Sequence, residues 1–144
     1  MSEGLNIPPK SFYWTAGAAL LWNLIGIYNY IAQVTMSNEA LAALPDAQRA
    51  FFENQPSWVT GAFALAVNAG AVGCLLLLLR KAWALPVFML SLVCVLLQSG
   101  YDYFVADAMI VFGAAQMILP IVIIAIGAYL IKYSKDAAGK NWIG

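Results

Sequence analysis

Six side chains stand where polar groups are least expected. Asn29, Gln33, Asn68, Gln98, Asp102 and Gln116 each lie inside a long apolar stretch. Burying an unpaired polar group at membrane depth costs several kcal/mol, so each of them needs a partner. Amides both donate and accept hydrogen bonds. Beside Trp22, Tyr28, Tyr30 and Tyr101 they suit a small, neutral, hydroxyl-rich solute, with aromatic faces laid on the apolar face of a sugar-like ring. The same amides also act as glue between membrane helices, at about 0.6–2 kcal/mol each, and both readings stay open. Asp102 is the ionisable member of the set and a functional candidate by default, although its place near the end of its stretch also lets water reach it.

Other chemistry is missing. The chain has no histidine, which removes an imidazole base and His-ligated metal or haem. Cys74 and Cys94 lie on different stretches with no C-x-x-C, so they read as small core residues rather than a redox pair. No phosphate-binding glycine motif occurs. Asp102 and Asp107 are five residues apart and do not share a helical face, which disfavours paired-carboxylate catalysis. The sequence therefore predicts no enzyme, no cofactor and no metal. Seven basic and seven acidic residues cancel, leaving no electrostatic case for a nucleic-acid partner.

The elements that hold these residues follow from composition. Of 144 residues, 63% are hydrophobic and 10% charged, far more apolar than a soluble domain. Four stretches reach the roughly 20 apolar residues that cross a bilayer: 12–34, 57–79, 82–104 and 108–132. Backbone groups in lipid must be satisfied internally, and a barrel would need many more alternating strands. The expected fold is all-α: one membrane domain over 1–144, a four-helix bundle embedded in the lipid bilayer. Its short second and third links make neighbours antiparallel. Pro86 and Pro120 are expected as tolerated kinks.

Each stretch carries one stripe of small or polar residues. The stripes are Trp22, Gly26, Asn29 and Gln33 with Asn23 beside them; Gly61, Ala64, Asn68 and Ala71; Ser91, Val95, Gln98 and Asp102; and Gly113, Gln116, Pro120 and Gly127. Facing inward, they would form a polar pocket open to the outside and closed toward the cytoplasm. Lys10, Arg80, Lys81, Lys132, Lys135 and Lys140 fall on one side and only Arg49 on the other, so the positive-inside rule places both termini in the cytoplasm. The first stretch is longer than the apolar run of a signal peptide, so a cleaved leader is not expected.

Residues 35–56 form the one substantial loop. Ser37 is a plausible helix N-cap, and Pro45 with Asp46 suits the start of a second short helix. Leu41, Leu44, Phe51 and Phe52 against Glu39, Asp46, Gln48, Arg49 and Glu53 predict an amphipathic hairpin across the outer mouth of the bundle. It is either a connector resting on headgroups or a lid over a cavity.

The run MSNEALAALPDAQRAFFENQPSWVTGAFALAV, with LLWNLIGIYNY before it and LLLLLRKAWALPVFMLSL after, resembles a group of small bacterial four-span proteins commonly labelled sugar transporters. The resemblance covers roughly 12–133. It implies a bacterial inner membrane and small-molecule transport, and it carries no residue roles. Two functions are therefore expected. One is a carrier or binding protein for a small polar molecule, working as a homodimer to complete a path, since no internal repeat is evident. The other is a non-catalytic accessory or scaffold subunit bound to a membrane-complex partner.

Overall fold

The computed structural model describes residues 5–144, apart from the side chains of 116 and 117. Among the described residues the chain is all-helical, with no strand. The helices are α1 (Lys10–Val34), α2 (Asn38–Ala42), α3 (Asp46–Glu53), α4 (Ser57–Leu78), α5 (Ala84–Gly100), α6 (Ala108–Phe112) and α7 (Ile118–Gly139). A π-helical turn, Tyr101–Val105, extends α5, and a 3-10 turn, Ala114–Met117, leads into α7.

Proline and glycine set the boundaries. Pro9, Pro45 and Pro56 immediately precede α1, α3 and α4, where a fixed φ and a missing N–H do no harm. Pro86 and Pro120 are third residues of α5 and α7. Their positions need no intrahelical donor, so the expected kinks are corrected to ordinary first-turn prolines.

The continuous fourth span expected at 108–132 is also corrected. Gly113, at φ 94 and ψ 159, interrupts it in a backbone region open essentially to glycine alone. The apolar run is thus split into α6, the 3-10 turn and α7.

Among the described residues, three helical segments are long and apolar enough to cross a membrane: Ser57–Leu78, Ala84–Val105 and Ile118–Gly139. The chain is accordingly a multi-pass membrane protein in contact with the bilayer. α1 is long enough at 25 residues, but Asn23, Asn29, Gln33 and its tyrosines make it more polar than the other three.

The long helices pack as an arc, α1 on α4, α4 on α5 and α5 on α7. Small residues on α4 let its neighbours come close. Gly70 leaves room for the Asn23 amide, and a Cβ at Gly73 would stand 2.7 Å from the Phe88 ring. The core gathers at the end of the bundle that holds the α4–α5 link. It includes Phe12, Ala16, Cys74, Leu77, Phe88 and Leu130. There Phe12 of α1 stacks on Tyr133 of α7 at 6.2 Å and meets Trp142 edge-on at 5.9 Å.

A clasp lies beneath this core. Arg80, at φ 59, donates from Nε to the Trp142 carbonyl at 2.9 Å and from its guanidinium to the Asn6 carbonyl. Gly144 N–H donates to the Arg80 carbonyl at 3.1 Å, and Asn6 N–H to the Asn141 carbonyl at 2.7 Å. The Asn6 side chain donates to the Lys140 carbonyl at 2.8 Å.

At the opposite end, Ser37 caps α2 as expected, its Oγ accepting from Ala40 N–H at 3.1 Å. α3 rests on α6 through Phe51 and Phe52, whose rings meet Phe112 at 5.0 and 5.9 Å. Gln33 Nε2 donates to Gln55 Oε1 at 2.9 Å, tying the two ends of the loop together.

Candidate functional site

The arc encloses a cavity of about 170 Å³ at the middle of the long helices. α1 supplies Trp22, Asn23, Ile25, Gly26 and Asn29, and α4 supplies Ala66, Val67 and Gly70. α5 adds Phe88, Ser91, Leu92 and Val95, and α7 adds Leu119, Ile123, Ile126, Gly127 and Leu130. Phe88 and Leu130 belong also to the core, so the tightly packed end of the bundle forms the floor. No charged side chain lines the cavity among the described residues.

Most of the wall is apolar, and two of its polar side chains bond within the protein. Ser91 Oγ donates to the Ala66 carbonyl at 2.7 Å, joining α5 to α4. Asn23 Nδ2 donates to the Ala19 carbonyl at 2.9 Å and lies 3.7 Å from Cys74 Sγ. The cavity therefore offers little hydrogen-bonding capacity, with Trp22 and Asn29 at the two ends of its α1 wall.

The six polar residues singled out from sequence do not converge. Asn29 lines the cavity. Gln33 is held by Gln55 in the loop. Asn68 is exposed, with its amide bonded to the Ala64 carbonyl one turn back at 2.7 Å, so that stripe of α4 does not line the cavity. Gln98 is half-buried on α5 and is not part of the lining. Asp102 lies in the π-helical turn, with Oδ1 buried and no hydrogen-bond partner among the described residues. The Gln116 side chain lies outside the described residues. Ser91, Val95, Gly26 and Gly127 do face the cavity as their stripes predict.

Sequence reasoning underrated Asn23. Its amide is wedged between α1 and α4, against Gly70 and beside Cys74. The signal was the pairing of a mid-helix amide with a glycine and a small thiol one turn apart on another helix. Cys74 and Cys94 are free, buried thiols, as expected of core residues.

A second hollow of about 300 Å³ lies between α3 and the irregular segment after α5, lined by Phe51, Asn54, Tyr101 and Val111 among others. Tyr101 is braced there by Trp58, their ring centroids 5.7 Å apart. No family model, curated protein or solved structure matches this chain.

Proposed function

We propose that this protein binds a small molecule in the midplane cavity and, as the resemblance to small bacterial four-span proteins implies, carries it within or across the inner membrane. The supporting observation is the cavity itself: four long helices line it, and one end is shut by the core and the clasp. Pockets between helices of a bundle are a common place for small ligands.

In this reading α1 is the fourth span. Its 25 residues reach about 37 Å, more than the roughly 30 Å of hydrocarbon, and it carries no charge after Lys10. Both termini are cytoplasmic. In favour of that orientation, Lys10, Arg80, Lys81 and Lys140 gather where the clasp joins Asn6, Arg80 and Asn141, while Arg49 lies on α3 at the other end.

The test is thermal stability of the purified protein against sugars, polyols and single-chain lipids. A ligand at a hundred times its Kd adds about 2.7 kcal/mol to the native state. A selective rise in melting temperature, lost when Ile123→Phe fills the cavity, is the expected outcome. A flat panel would overturn the binding reading and favour an accessory subunit.

A further inference from the structure

We infer that the cavity's ligand is a single-chain amphiphile with a neutral, hydrogen-bonding head, taken sideways from the bilayer between α1 and α7. This rests on the cavity being a binding site, and it names what that site takes.

Shape is the first argument. Along α7 the lining runs from Leu119 to Leu130, twelve residues that rise about 16 Å along the helix axis. A lining that extends this far along the helix axis between apolar walls accommodates an extended hydrocarbon chain.

Polarity is the second. The wall between the ends is Val67, Leu92, Ile123 and Ile126, and the floor is Phe88 and Leu130. The Ser91 hydroxyl and the Asn23 amide N–H are already given to Ala66, Ala19 and Cys74. A sugar would leave most of its hydroxyls without partners, and an ion would find no charged side chain in the lining. Asn29, exposed on α1, offers an amide that both donates and accepts, as an alcohol or ester head requires.

Access is the third. α1 and α7 both line the cavity, yet each packs mainly on a different neighbour, α1 on α4 and α7 on α5. They meet through Phe12 and Tyr133 at the clasp end. Farther from it, Ile25 and Leu119, which border the cavity from these two helices, are 50% and 52% exposed. In a membrane, what faces these side chains is lipid, so a chain reaches the cavity without crossing water.

The experiment uses the full chain in nanodiscs and tryptophan fluorescence, because Trp22 lines the cavity. Brominated dodecanol is the probe, with brominated dodecane and glucose as the other arms. The expected result is saturable quenching by the alcohol that disappears in Trp22→Phe and in Ile123→Phe. Asn29→Leu should weaken it about tenfold while leaving the hydrocarbon's weaker binding unchanged, the equivalent of losing one hydrogen bond. Circular dichroism and melting confirm that each variant is folded. If quenching only rises in proportion to probe in the bilayer, and equally in Ile123→Phe, the amphiphile is overturned. If glucose then raises the melting temperature, the cavity still binds a solute; if no probe acts, both readings fall.

Discussion

At the scale of single residues, the Asn23–Gly70 wedge is the sharpest feature. A Cβ on Gly70 would overlap the Asn23 side-chain oxygen, so Gly70→Ala must push α1 away from α4 or turn the amide out of its bond to Ala19. Overpacking of this kind costs about 1–3 kcal/mol. We expect Gly70→Ala to lower the melting temperature and Asn23→Ala added to it to restore part of the loss, a coupling that a double-mutant cycle measures. Gly17→Ala, on α1 with Asn23, is the control. A Cβ there meets nothing within 4 Å, so stability should hold or rise slightly. Equal losses at Gly17 and Gly70 would show that the wedge is not what holds the two helices together.

At the scale of elements, the irregular run after α5 is where sequence reading stopped working. The first three stretches were legible because continuous apolar runs bounded by proline or by Arg80-Lys81 leave little choice of boundary. The fourth was not, since hydropathy is the same whether Gly113 continues a helix or breaks it. Only the backbone, at φ 94, decides. Gly113→Ala should therefore cost on the order of 1–3 kcal/mol, whereas Gly100→Ala, with open space around it and helical φ, should cost little.

The candidate site was half legible for a related reason. The stripes on α1 and α5 were read correctly in part, but an amide such as Asn68 can satisfy itself on its own helix, and periodicity cannot see that. Neither could it see that the free amide would be Asn29 while Asn23 was already bonded. α3 is expected to depend on the ring cluster for its position. Phe112→Ala should undock it from α6, and trypsin should then cut after Arg49 faster than in the native chain. Unchanged cleavage would mean that the bilayer alone holds α3.

At the scale of the molecule, the bundle is tight at one end and open at the other. The same small-residue face of α4 that draws α1 and α5 together leaves α7 with one main neighbour, and the cavity is the space that remains. The clasp keeps the tight end shut. Arg80→Gln removes a charged donor from the Trp142 and Asn6 carbonyls, and losing one such bond corresponds to about a tenfold change in opening. Amide exchange at Asn6 and Gly144 should speed up by about that factor, with α4 amides unaffected.

The clasp also imposes an order of events on synthesis. Asn6 and its partner Lys140 are 134 residues apart, and a ribosome adding about 5–20 residues per second separates them by about 7–27 s. Until residues 118–139 have been made, α1 and α4 have no α7 across the cavity from them. Asn6 must wait, unpaired, for the residues that hold it. A ribosome stalled before Lys140 would therefore carry a chain whose cavity is lined but whose clasp is still open.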